Sequence, residues 1–234
     1  MSAIPAPAIP MIDSKQQRLN MVESQVRPSD VTDRRIIKAM LEVPREAFLP
    51  RELRALAYMD DAVPVRRGGG GAEARYLLPP RIFAKLVQLA DIAPEAVVLD
   101  VGCASGYSTA VLARLAKRVV AVESDAALAT TAATTLRELG VTNAMVVPGP
   151  LGAGAPDRGP FAAILLNGAV PEVPQSLLEQ LAEGGRLVAV IGGQASLGCA
   201  QVWQRAGTNF DARAAFDAGA RPLPGFARET GFVF

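Results

Sequence analysis

The apolar residues of this chain change period along its length, and the changes mark its elements. After Asp13 or Ser14, Leu19, Val22 and Val26 recur on one helical face until Pro28 forces a break. Thr32 is placed to cap a second helix, which carries Ile36, Ile37, Met40 and Leu41 and stops before Pro44. Pro80 stands where a first helical turn tolerates proline, and Ile82, Phe83, Leu86, Val87 and Ala90 follow at helical spacing. Beyond it the pattern becomes one of short continuous apolar runs: AVVLDV (Ala96 to Val101), RVVAVE (Arg118 to Glu123), NAMVV, FAAILLN and RLVAVIG. Helices are expected between them, one reaching Lys117, one from about Asp125 to Gly140, and one through Leu181. Runs buried on both faces and separated by helices predict an α/β fold with a doubly wound, mostly parallel, Rossmann-like sheet. No periodic repeat suggests a solenoid.

The same reading divides the chain into three parts. Residues 1–12, with spaced prolines, are expected to be a loose tail; residues 13–79 form an N-terminal helical extension; residues 80–234 form the α/β domain. Within the extension, RRGGGGAEA (Arg66 to Ala74) is expected to be a mobile loop, because successive glycines carry too much backbone entropy to order. Trp203 and Phe210 are expected to pack the late strands against helices.

Composition removes several chemistries. With 24 basic and 23 acidic residues, the chain has no field that would gather nucleic acid or an anionic membrane. Its apolar stretches fall short of a membrane span, and its first residues lack the basic and apolar regions of a signal peptide, so a cytoplasmic protein is expected. There is no histidine, which excludes Ser/His/Asp and Cys/His nucleophilic machinery. Two cysteines, Cys103 and Cys199, cannot complete a zinc site and are expected to be reduced thiols, and no metal site is expected.

The most informative residues lie where the first long run ends and a helix opens: Asp100, Val101, Gly102, Cys103, Ala104, Ser105 and Gly106. Small residues there let backbone approach a ligand, and the following helix presents its positive end. Glu123, 23 residues after Asp100, ends the next run, where a carboxylate can accept hydrogen bonds from both hydroxyls of a ribose. A tight turn with no ligand explains Gly102 and Gly106 alone, but not their placement together with Glu123. A dinucleotide fingerprint would put glycine at the positions of Gly102, Ala104 and Tyr107; its failure at two of them disfavours NAD and FAD, and S-adenosylmethionine fits better. Tyr107 is either a packing residue or a pocket wall. Asn167, at the end of the fourth run, either touches a ligand or caps the turn before Pro171. Arg66, Arg67 and Arg75 border the glycine-rich loop and either meet an anionic acceptor or, more commonly for loop charges, stand in solvent.

From about Met21 onward the chain resembles the protein-L-isoaspartate O-methyltransferase family. The resemblance rests on AMLEVPREAFLP (Ala39 to Pro50), AYMDDAVPV (Ala57 to Val65), VLDVGCASGYSTAVLARL (Val98 to Leu115), VVAVE, LRELGVTNA, PFAAILLNGA and LLEQLAEGGRLVAVIG. It implies an S-adenosylmethionine-dependent methyltransferase of damaged proteins, with Asp100, Gly102, Cys103, Ala104, Gly106, Tyr107, Glu123, Gly149 and Asn167 at or beside cofactor-binding positions. It implies a protein or peptide carboxylate as acceptor, with a small molecule as the alternative, and leaves catalytic residues and oligomeric state open. Three departures stand out. The family's Thr-Ile-Ser-Gln-Pro segment reads Tyr76, Leu77, Leu78, Pro79, Pro80; its Gly-Asp-Gly reads Gly149, Pro150, Leu151; and the Asp of its fourth strand is Ala162. The departures keep three readings open: isoaspartyl repair, methylation of another acceptor, and a non-catalytic binding protein.

Overall fold

The structure, a computed structural model, describes residues 13–69, 73–192 and 198–226. The chain opens with α1 (Ser14–Met21), capped by Asp13, and continues through one π turn (Val22–Val26) and one 3₁₀ turn (Arg27–Ser29) to α2 (Arg34–Glu42). A short antiparallel hairpin follows, β1 (Val63–Arg66) with β2 (Arg75–Leu77), then α3 (Pro80–Ala90). The main body runs β3 (Val97–Val101), α4 (Tyr107–Leu112), β4 (Arg118–Glu123), α5 (Ala126–Glu138), β5 (Ala144–Pro148), β6 (Phe161–Val170), α6 (Gln175–Leu178), β7 (Leu181–Ile191), β8 (Gly198–Ala206) and β9 (Asn209–Ala218).

The seven strands from β3 onward form one sheet in the order β5-β4-β3-β6-β7-β8-β9. The four pairings from β5 to β7 are parallel, and β8 and β9 are added antiparallel. The expected doubly wound, mostly parallel sheet is therefore present. Side-chain alternation divides its residues between two apolar cores. Val98, Val119, Leu165 and Val188 join one cluster, while Leu99, Val101, Val120, Ile164 and Leu187 join the other. Strands apolar on both faces, as the continuous runs implied, are what this partition requires.

The N-terminal helices share the first of these clusters. Met21, Val22, Ile36, Ile37 and Met40 are buried in it with Phe83, Leu86 and Val87 of α3. Chain order reverses between β3 and its neighbours β4 and β6, so the C-terminal ends of these strands form the crevice where ligands gather in such sheets.

Several local expectations are corrected. The cap of α2 is Asp33, whose carboxylate accepts from Arg35 N; Thr32 turns its backbone N–H and its hydroxyl to the Gln88 amide oxygen instead. The helix after the nucleotide-type turn ends at Leu112 rather than Lys117, where the bonding tightens to i→i−3, Arg114 N donating to Val111 O and Leu115 N to Leu112 O. The helix expected through Leu181 is only Gln175–Leu178; Leu181 already belongs to β7. Arg66, expected in a mobile loop, and Arg75, expected at its border, lie in the paired strands of the β1–β2 hairpin. The tail at residues 1–12 and residues 70–72 of the glycine-rich segment lie outside the described residues. Trp203 and Phe210 pack partly buried against the second cluster, which includes Leu177 and Leu178 of α6.

Candidate functional site

The turn after β3 is built from backbone that L-residues resist. Gly102 and Gly106 have φ of 74° and 99°, and Ala104, with φ of 51°, is one of the few non-glycine residues in the left-handed region. Gly102 N donates to Val122 O at 2.8 Å and Gly106 N to Cys103 O at 2.8 Å, which closes the turn on the end of β4. A Cβ on Gly106 would come within 3.2 Å of the Ala132 side chain, so glycine also lets α5 pack against the turn.

Two carboxylates are wholly buried here. Asp100, near the end of β3, accepts hydrogen bonds from Ser108 Oγ (2.8 Å), Thr109 Oγ1 (2.6 Å) and Asn167 Nδ2 (2.5 Å). Asn167 also donates to Val101 O at 3.1 Å, which ties the end of β6 to β3. Burial pushes the Asp100 carboxyl up to about 6, against the pull of those three donors, and the nearby Glu123 charge adds to the rise. Glu123 ends β4. Its Oε2 accepts from Ala104 N at 2.7 Å and its Oε1 from Asp125 N at 3.0 Å.

Glu123 also pairs with the guanidinium of Arg75, a residue 3% exposed, while Arg75 Nη2 donates to Gly102 O at 3.1 Å. Beside this pair Arg66 binds Asp125, and Asp125 caps α5 by accepting from Leu128 N at 2.8 Å. Arg66 holds the Asp125 carboxyl below its ordinary value, through its side-chain hydrogen bond above all. The hairpin is therefore fastened to the β4–α5 junction by two arginines, not left in solvent.

The N-terminal extension supplies the opposite wall. Ser105 Oγ donates to Phe48 O at 2.6 Å, and the Tyr107 ring lies between Phe48 (5.8 Å) and Phe83 (5.6 Å) with the Arg45 guanidinium 4.6 Å from its centroid. Arg45 is fully buried, and burial pulls its guanidinium below its ordinary value. It donates to Ala57 O (2.7 Å) and to Leu78 O (2.8 Å), so it fixes the backbone of the Tyr76–Pro80 segment. Tyr107 is thus a packing residue that also lines a narrow cleft of about 10 Å³ with Arg45, Tyr76, Leu78, Gly102 and Asn167.

All nine candidate residues fall at this edge of the sheet or beside it. Gly149, whose N–H donates to Glu123 O at 3.0 Å, sits beyond β5 with nothing within 4 Å of where a Cβ would stand. Cys103 is buried and free, and burial raises its thiol pKa well above the ordinary value, which leaves it protonated. Four contributors escaped the sequence reading: Arg45, Ser108, Thr109 and Leu223, which packs where a Cβ on Gly102 would lie. One signal was available. Two acids in apolar strand ends require donors nearby, and without histidine an arginine is the natural partner for one of them.

Comparison with known proteins bears on this geometry. The model of the family described as Protein-L-isoaspartate(D-aspartate) O-methyltransferase matches residues 16–215. A protein-L-isoaspartate O-methyltransferase of Herpetosiphon aurantiacus is 42% identical over 178 residues, 76% of this chain and 77% of that protein. One from a Roseiflexus species is 40% identical over 183 residues, 78% of this chain and 81% of that protein. Among solved structures, a protein-L-isoaspartate O-methyltransferase superposes with a TM-score of 0.77 at 24% identity, covering 92% of this chain and 67% of its own. A Plasmodium falciparum chain in complex with S-adenosyl-L-homocysteine superposes at 0.69 and 20% identity, covering 91% of this chain and 99% of its own. The two superpositions establish the shared fold, and the family match together with relatives at about 40% identity shows that this chain belongs to the protein-L-isoaspartate O-methyltransferase family.

Proposed function

We propose that the chain is an S-adenosylmethionine-dependent O-methyltransferase that esterifies the side-chain carboxylate of isoaspartyl residues in damaged proteins, in the cytoplasm. The observation that carries this reading is the pairing of the left-handed turn Gly102–Gly106 with the carboxylate of Glu123 at the end of the adjacent strand. These residues suit the cofactor: Glu123 is an acceptor for the ribose hydroxyls, the glycine turn allows close approach, and Gly149 leaves open space beside it. Asp100 holds the turn in shape through Ser108, Thr109 and Asn167.

S-adenosylmethionine, when bound, supplies a methyl group already activated by its sulfonium. A carboxylate acceptor is ionised at neutral pH, so no general base has to be found in a chain without histidine. The protein's own contribution is alignment and exclusion of water. Arg45, through Leu78 O, fixes the Tyr76–Pro80 segment beside the cleft, and the edge-on Phe48 and tilted Phe83 contacts of Tyr107 back it from the core.

A second reading is supported by Leu78, which stands where the family has a serine and is buried with its carbonyl held by Arg45. It is methylation of a different carboxylate on the same scaffold. The two are separated by following methyl release from a synthetic isoaspartyl peptide and its normal aspartyl counterpart. Transfer to the isoaspartyl peptide alone supports repair; transfer to neither, with the cofactor bound, excludes repair and leaves another acceptor or a non-catalytic binding protein. Among the described residues no helix is long and apolar enough to cross a membrane.

A further inference from the structure

Glu123 is already occupied by the protein. Both of its oxygens accept hydrogen bonds, and four groups donate them: the backbone of Ala104, the backbone of Asp125, the guanidinium of Arg75 and, at 3.4 Å, the hydroxyl of Ser124 next in the chain. The two backbone donors belong to the turn and to the start of α5, and they remain wherever Glu123 remains. Arg75 is different. It comes from β2, 48 residues away in sequence, and it is the one strong donor that can withdraw without taking the turn apart.

The space around the pair is also filled. A Cβ placed on Gly102 would lie 3.2 Å from Arg75 Nη2 and 2.7 Å from Leu223 Cδ2, so the close approach that glycine permits is used by the chain's own side chains. The cleft that remains, about 10 Å³, has room for about one water and is far below the range of a pocket for a nucleoside-sized ligand. Arg66, bound to Asp125, holds the other strand of the hairpin against the same junction.

We infer that Arg75 is a latch on the cofactor site: its guanidinium holds the carboxylate that a ribose would take, and a nucleoside cofactor binds only by exchanging with it. The inference rests on the reading of Glu123 as the ribose acceptor. Arg75 acts through Glu123 and is a positioning residue. The exchange is reasonable in energy because the diol and the guanidinium both satisfy the same buried charge, so opening the latch alone is unfavourable and opening it with ligand is not. Apparent affinity is then the intrinsic affinity reduced by the fraction of molecules with Arg75 withdrawn.

The test is calorimetric titration of the full chain with S-adenosylhomocysteine, using the native protein, Arg75→Met, Glu123→Gln and the double variant. The latch predicts that Arg75→Met binds at least about tenfold tighter than native, as expected when a closed state populated at 90% or more is removed. It predicts that Glu123→Gln binds more weakly, and that Arg75→Met produces no further gain in the Glu123→Gln background. A purely structural ion pair would instead make Arg75→Met bind more weakly. If Glu123→Gln weakens binding but Arg75→Met leaves it equal or weaker, the latch is wrong and the ribose reading stands. Unchanged affinity in Glu123→Gln overturns the ribose reading and the latch with it. Should Arg75→Met not fold, Arg75→Lys decides: a lysine lacks the rigid fork whose separate nitrogens reach Glu123 and Gly102 O, so it holds the latch less firmly, its affinity should rise several-fold, and an equal or lower affinity overturns the latch.

Discussion

Asp100 gives the sharpest test of the site's electrostatics. Its carboxyl is buried beside a second buried acid, and its pKa rises from 3.8 to about 6 in spite of three hydrogen bonds to it. The native state therefore binds this proton more tightly than the unfolded chain does. The resulting stabilisation is complete below the unfolded value near 4 and is lost as pH rises through about 6. A rise of that size corresponds to about 3 kcal/mol at full loss. Asp100→Asn should remove the dependence while keeping the packing, because its amide oxygen still accepts from Asn167 and the hydroxyls of Ser108 and Thr109 can turn to accept from the new amide. Other acids titrate in the same range, and Asp33 and Asp125, held low mainly by Arg35 and Arg66, work in the opposite direction. The quantity to measure is therefore the difference between native and Asp100→Asn in urea unfolding free energy, at steps from pH 4 to pH 7.5. The native protein should lose ground steadily against the variant, by about 2.4 kcal/mol over the interval, since part of the loss has already occurred at pH 4. Parallel profiles would show that the three donors cancel the burial of Asp100 and that its charge costs the fold nothing.

Other substitutions probe the walls of the site. Gly106→Ala, at φ of 99° and 3.2 Å from Ala132, should lose about 1–3 kcal/mol of stability, whereas Gly149→Ala, with open space, should stay within about 0.5 kcal/mol. Equal thermal midpoints for the two would refute the strain argument. Leu78→Ser should cost about 2–4 kcal/mol in urea unfolding, because it empties a buried site, and should raise isoaspartyl methylation less than tenfold because Tyr76 and Pro79 also differ. Arg45→Met should lose about 2–3 kcal/mol in the same measurement by removing the donor to the Ala57 and Leu78 carbonyls; a more stable variant would mean that the buried charge is the larger effect.

The sheet was legible in the sequence because its strands are apolar on both faces, and a continuous run such as Val97–Val101 has no competing helical period. Boundaries set by single side chains were harder. Thr32 and Asp33 are both good caps, and the choice fell to Asp33 because Gln88, far along the chain, takes the Thr32 N–H. The shortness of α6 was hidden in the same way. Leu177, Leu178 and Leu181 read as one helical face, but Leu181 pairs with Phe161 as the first residue of β7. The hairpin was missed because its strands have four and three residues on either side of a glycine run, too few for alternation to emerge.

The site followed a different rule: residues read from motifs came together, while the residues that close it came from outside the motifs. Asp100, Gly102, Gly106 and Glu123 are neighbours because β3 and β4 pair in parallel, with Asp100 opposite Ala121 and Val101 opposite Val122. Arg75 could be placed only by asking what a buried Glu123 needs, since in sequence it looks like another loop charge. Its strand answers in retrospect: Arg75 and Leu77 point inward with Val63 and Val65, while Pro64 and Tyr76 between them are half-buried. The block Ala39 to Pro50 belongs to this argument as well. Phe48 accepts from Ser105 in the nucleotide-type turn, its ring meets Tyr107, and Arg45 reaches Leu78 in the segment where the family's serine is missing. The extension is thus a wall of the site, which gives a physical reason for the family resemblance to begin near Met21 instead of at the first strand of the sheet.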